Sequence, residues 1–173
     1  MGHSTLAWTA FMQVLVRHDV GTIADVRRFP GSRRHPHFES ETMAAALATA
    51  GIGYVHLPSL GGRRAPRRDS RNLAWRTAGF RGYADYMETP GYAEGRLALE
   101  ALASSAPTAM LCAEALWWQC HRGLVADDFK ARGWDVRHLT ARGVEAHPFT
   151  PAARLVDGRL DYSGAASPQP GLF

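Results

Sequence analysis

Two residue pairs and one triplet in this 173-residue sequence have the right types and spacing for chemistry: Asp25 with Arg27, Cys112 with Glu114, and Cys120-His121-Arg122. Residues two apart on a strand share a face, so Asp25 and Arg27 would stand together over a pocket, as an ion pair or as an acid–base group beside a cation. Cys112 is a candidate nucleophile if its thiol ionises, and a small inert hydrophobe if it does not. A nearby His121 or Arg122 would lower its pKa, whereas Glu114 would raise it. The candidate catalytic set is therefore Cys112, Glu114, Asp25 and His121.

Thiolate and imidazole are also good zinc or iron ligands, which makes Cys112, Cys120 and His121 a possible metal set. Neighbours on a helix diverge by about 100°, so Cys120 and His121 could reach one ion only from an irregular first turn. The expectation is accordingly no cofactor, with zinc or iron as the alternative.

Charge adds a second signal. From Arg27 to Arg81 there are eleven arginines against Glu39, Glu41 and Asp69, although the whole chain carries only +4 and its one lysine is Lys130. Guanidinium groups suit phosphate and carboxylate, which points to nucleic acid or a phosphate-bearing ligand as partner. A solvated basic loop is the plain alternative. Candidate substrate-binding residues are Arg27, Ser32, Gly61, Gly62, Arg63, Arg81, Trp117 and Arg122. Trp117 and Trp118 could stack on a base or pack inward. His35 and His37, on either side of Pro36, fit solvated or phosphate-contacting histidines.

These residues need elements to position them. Apolar spacing predicts a helix over Leu6 to His18, with Ser4 or Thr5 as cap, and a buried strand over Thr22 to Val26. A capping-box helix from Ser40 to Gly51 and a strand from Ile52 to Leu57 follow. Leu60-Gly61-Gly62 then opens an arginine-rich loop to about Gly79. Helical segments Tyr83 to Met87 and Tyr92 to Ala103 flank Thr89-Pro90-Gly91. A strand over Thr108 to Cys112, a helix from Trp118 to Arg132 and a strand from Asp135 to Leu139 complete the series.

Alternating strands and helices predict an α/β fold: a mostly parallel sheet with helices on both faces, Rossmann-like and three-layered, with ligands beyond the carboxyl ends of the strands. One domain, 1–162, is expected, with a loosely held tail over 163–173. Apolar runs fall far short of the roughly 20 residues that cross a bilayer, so no membrane partner is expected. No secretory signal is evident and two cysteines are too few for a disulfide scaffold, which makes the cytoplasm the expected location.

An ordered set of motifs now becomes informative: Gly2-His3-Ser4, Asp25-Val26-Arg27, Pro30 with Ser32, Leu60-Gly61-Gly62, Phe80-Arg81-Gly82-Tyr83-Ala84-Asp85-Tyr86-Met87, Cys112-Ala113-Glu114 and Cys120-His121-Arg122. Together they resemble the bacterial family called domain of unknown function 488, over roughly Gly2 to His138. The resemblance implies a small α/β protein without an agreed activity, loosely associated with DNA repair. It also implies a strand just ahead of the glycine-histidine-serine motif. Met1 directly precedes Gly2 here, so either the start lies further upstream or this chain lacks that strand; in both cases nothing fixes His3 beside the pocket, and reduced stability is expected.

Three function classes follow. The leading one is an enzyme, a Cys- or carboxylate-dependent hydrolase or transferase acting on nucleic acid or nucleotides. The alternatives are a non-catalytic nucleic-acid-binding module and a thiol- or metal-dependent enzyme for a small anionic metabolite.

Overall fold

The computed structural model describes residues 1–31 and 34–164. Ser32 and the segment 165–173, most of the expected tail, lie outside the described residues. A parallel sheet of three strands forms the centre, in the order β2 (Gly53–His56), β1 (Thr22–Asp25), β3 (Thr108–Leu111). Asp25 is in register with His56 on one side and Leu111 on the other. The residues that follow, Val26-Arg27 and Cys112, therefore emerge at one common rim.

Alternation along the strands divides the core in two. Ile23, Ala109 and Leu111 face α1 (Trp8–Arg17) and α2 (Ser40–Thr49), where they meet Phe11, Leu15, Met43 and Leu47. Ala24, Val26 and Cys112 face the other way, toward α3 (Ala78–Met87), α4 (Pro90–Ser105) and α5 (Arg122–Ala131), with Leu99, Leu124 and Val125. Full burial of each large aliphatic or aromatic side chain stabilises the fold by roughly 1.5–3 kcal/mol. The order of elements makes the parallel pairing possible, since each crossover carries a helix: α2 links β1 to β2, and α3 with α4 links β2 to β3. Thr89 caps α4 by accepting the Tyr92 N–H, and Pro90 takes the first helical turn.

Several boundaries differ from the sequence expectation. Helix α1 has Ala7 at its N-cap and α2 has Glu39, neither making a side-chain cap, so Ser4, Thr5 and Ser40 do not cap. Helix α3 begins at Ala78 rather than Tyr83. The expected helix from Trp118 is broken into a 3-10 turn (Trp117–Gln119), an extended Cys120, and α5.

The last expected strand is not in the parallel sheet. Strand β4 (Arg137–Thr140) turns back directly into β5 (Gly143–Ala146) as an antiparallel pair. Thr140 Oγ1 accepts the N–H groups of Arg142 and Gly143 and closes that turn. So short a connection permits only an antiparallel partner. A second hairpin, β6 (Arg154–Val156) with β7 (Arg159–Asp161), lies in the region expected to be irregular. Its turn is Asp157-Gly158, both at positive φ (50° and 74°), the geometry of a type I′ hairpin.

The N-terminal residues run beside β3. Gly2 bridges Cys112 in parallel sense, the Cys112 N–H donates to Met1 O, and the His3 N–H donates to Cys112 O. His3 is thereby held: its ring stacks on Phe38 with centroids 4.1 Å apart, and its Nε2 lies 3.3 Å from Arg27. Among the described residues, no helix is long and apolar enough to cross a membrane.

Candidate functional site

Beyond the carboxyl ends of β1 and β3 lies a cavity of about 610 Å³. Its walls carry Cys112, Cys120 and His121, together with Arg28, Arg63 and, at the turn after β3, Glu114. Arg27, Gly62, Phe80 and Tyr83 complete the part of the wall that bears on the chemistry. Two smaller cavities, about 350 and 330 Å³, include neither cysteine in their walls.

The cysteines reach the rim by different routes. Cys112 ends β3, and Cys120 sits in extended conformation between the 3-10 turn and α5. Both are buried and unbridged. The Cys112 thiol hydrogen-bonds the Cys120 sulfur, and that bond, reinforced by burial, pushes the Cys112 pKa far up. Burial also opposes ionisation of Cys120, but the Cys112 hydrogen bond and the Arg122 guanidinium outweigh it and bring the Cys120 pKa down to about 6. Arg122 Nε–H donates to Cys120 Sγ at 3.3 Å. The cation therefore serves Cys120, not Cys112 as the sequence suggested. Cys120 Sγ lies 3.6 Å from His121 Nδ1, and burial lowers the pKa of that imidazole. Gly62 is required here, because a Cβ on it would stand 2.7 Å from His121 Nδ1.

Asp25 and Arg27 do share a face, in the form of a buried clamp. Arg27 Nε donates to both Asp25 oxygens at 2.9 and 3.1 Å, its backbone N–H adds a third bond, and Tyr54 OH donates to Oδ2 at 2.8 Å. Arg27 NH1 reaches the Phe38 carbonyl. Burial disfavours the charged guanidinium, but the Asp25 carboxylate prevails and raises the Arg27 pKa. Asp25 is completely buried and is absent from the cavity wall.

The arginine-rich loop is largely folded onto α3. Arg67 and Arg71 pair with Glu88, the Arg67 N–H donates to Asp85, and Arg64 stacks over the Tyr86 ring at 3.7 Å. Burial disfavours the Glu88 charge, yet hydrogen bonds from Arg67, Asn72 and Arg71 hold its pKa below the usual range. Besides Arg27, which is held by Asp25, the described part of the basic segment offers the cavity Arg28 and Arg63, and Arg28 NH1 donates to the Arg63 carbonyl.

The remaining predicted residues among those described do not line the cavity. Arg81 donates to the Arg76 carbonyl, and Gly61 lets the chain pass against Arg28, where a Cβ would stand 2.9 Å from the Arg28 Cβ. Trp117 stacks face to face on His138 at 4.4 Å, and Arg122 also donates to the Glu114 carbonyl, pinning the turn after β3. Of the two thiols it is Cys120 that receives the Arg122 guanidinium, two positions along the chain, a contact that spacing alone does not reveal.

Together the parallel sheet and its rim define an α/β protein with a cysteine- and arginine-lined cleft at the carboxyl ends of the strands. A family model described as Domain of unknown function DUF488 matches residues 7–128, and the chain belongs to that family. No curated protein and no solved structure matches the chain.

Proposed function

We propose that this protein is an enzyme, a hydrolase or transferase, acting on a phosphate-bearing substrate of nucleotide size. The phosphate rests on Arg28 and Arg63, and the reacting group faces Cys112, Cys120 and His121. The observation that carries this reading is the single 610 Å³ cavity whose walls bear both the two arginines and the cysteine–histidine cluster. That volume is in the range of small-molecule sites, and guanidinium groups recognise phosphate by paired, charge-assisted hydrogen bonds. Glu114, exposed on the same wall, is the carboxylate available to exchange a proton with substrate.

A nucleotide is favoured over a long nucleic acid because Arg67 and Arg71 are already paired with Glu88, which removes two cations from the track a polymer would follow. Core clusters on both faces of the sheet support a three-layer, Rossmann-like description, in which ligands bind at this rim. Two unbridged cysteines accord with a reducing, cytoplasmic setting.

The test is turnover of a panel of nucleotides and simple phosphate esters by the full chain. Cys112→Ala and Cys120→Ala should each abolish turnover while inorganic phosphate still binds. Undiminished turnover in both variants would remove the cluster from the mechanism.

A further inference from the structure

The sulfur atoms of Cys112 and Cys120 and a ring nitrogen of His121 all lie within 4.8 Å of one another. We propose that these three side chains form a zinc site whose fourth coordination position opens into the cavity. The inference goes beyond the enzymatic reading, because it stands on donor geometry and needs no substrate.

Four observations carry it. First, Zn–S of about 2.3 Å and Zn–N of about 2.0–2.1 Å place a sulfur and a nitrogen roughly 3.5 Å apart on a tetrahedron's edge. Cys120 Sγ and His121 Nδ1 stand 3.6 Å apart. Second, the objection that sequence neighbours on a helix diverge does not apply: Cys120 is extended (φ −130°, ψ 146°) and His121 is the first residue to turn helical (φ −54°, ψ −18°). Their side chains converge because the backbone bends between them.

Third, a sulfur ligand needs an outer hydrogen bond to fix it, and Arg122 Nε–H supplies one to Cys120. Fourth, the cluster contains no carboxylate, since Asp25 is committed to Arg27 and Tyr54. Two sulfurs and an imidazole select a borderline-soft ion such as zinc over magnesium or calcium. Three protein ligands facing a cavity leave one position for water or a substrate oxygen, the pattern of catalytic rather than structural zinc.

The experiment uses the full chain, reduced, stripped with a chelator and titrated anaerobically with cobalt(II), then with zinc. The expected result is one equivalent of cobalt bound, with a thiolate-to-cobalt charge-transfer band in the near ultraviolet. Zinc should erase that band and slow alkylation of Cys112 and Cys120 by about tenfold or more. Cys112→Ser, Cys120→Ser and His121→Asn should each weaken cobalt binding about 10-fold or more, with circular dichroism spectra reporting that the variants remain folded. Cobalt affinity and charge-transfer intensity undiminished in both serine variants, or thiols alkylated equally fast with and without excess zinc, would overturn the proposal. Because no substrate is present, failure here leaves the phosphate-enzyme reading standing, and a parent protein that binds cobalt but turns over none of the phosphate compounds leaves the metal site standing.

Discussion

Asp25 gives its carboxylate to Arg27 and Tyr54, and that commitment defines its role. Asp25→Asn keeps the shape but leaves a buried guanidinium without its counter-charge, which should cost about 3–5 kcal/mol of stability. Chemical denaturation of the variant checks this; a loss below about 1 kcal/mol would argue that the clamp is not formed. The pairing was legible from sequence because strand periodicity places residues 25 and 27 on one face. Whether the pair worked as a clamp or as a catalyst was not legible, because that depends on Tyr54 from the neighbouring strand. Cys120 is a similar case. Its sulfur acquires its environment from Cys112, eight positions earlier, and from an arginine that folds back from α5. Adjacency in the chain identifies neither.

Among the elements, the central strands and most helices follow from apolar spacing, since each buries one periodic face. The two hairpins are less legible, because most of their residues are exposed; only β4 overlaps an expected strand, and its antiparallel partner does not. Their signal was in the turns: Asp157-Gly158 is a strong hairpin dipeptide, and it was overlooked in a region rich in polar residues. The break before α5 was equally hidden, since Trp117 to Arg122 reads as continuous helix by composition alone. The arginine-rich loop is an element in its own right, laid against α3. A Cβ on Gly82 would stand 2.3 Å from the Arg64 carbonyl and 2.6 Å from the Ala65 backbone. Gly82→Ala should therefore push the loop off α3 and lower stability by roughly 1–3 kcal/mol, measured by thermal unfolding. An unchanged melting temperature would mean that the loop does not pack there.

For the molecule as a whole, buried polar groups tie the C-terminal hairpins to the core. Asp127 on α5 accepts from the Thr150 N–H and hydroxyl, from Tyr162 OH and from His147 Nε2, and His147 Nδ1 in turn meets His138 Nε2 at 2.8 Å. Asp127→Ala should cost roughly 3–5 kcal/mol and release both hairpins to proteolysis. Resistance equal to the parent's would contradict that tie. None of these contacts was legible, because they join positions 9 to 35 residues apart and all but one run between side chains.

Acid should also unfold the protein through its buried histidines. Burial, with Arg27 and His35 opposing charge and Asp25 and the Ser4 carbonyl favouring it, lowers the His3 pKa from 6.5 to about 4. Burial, His147, the N-terminal amine and Arg122 lower that of His138 from 6.5 to about 3. Between pH 6.5 and 4 the unfolded chain binds protons that the folded one refuses, so stability falls as pH falls, by at most about 1.4 kcal/mol per pH unit for each histidine. Melting temperatures across that window should drop, and the drop should flatten in a His3→Gln, His138→Gln variant; an equal slope in that variant would assign the acid response elsewhere.

In the proposed function a phosphate group sits in the rim cavity on Arg28 and Arg63, beside the cysteine–histidine cluster. Calorimetric titration of the full chain with a nucleoside monophosphate tests it most directly, comparing the parent with an Arg28→Gln, Arg63→Gln variant. Charge-assisted hydrogen bonds of about 1.5–3 kcal/mol predict a loss of affinity of roughly ten- to a hundredfold in that variant. Equal affinity in the two proteins would contradict the account.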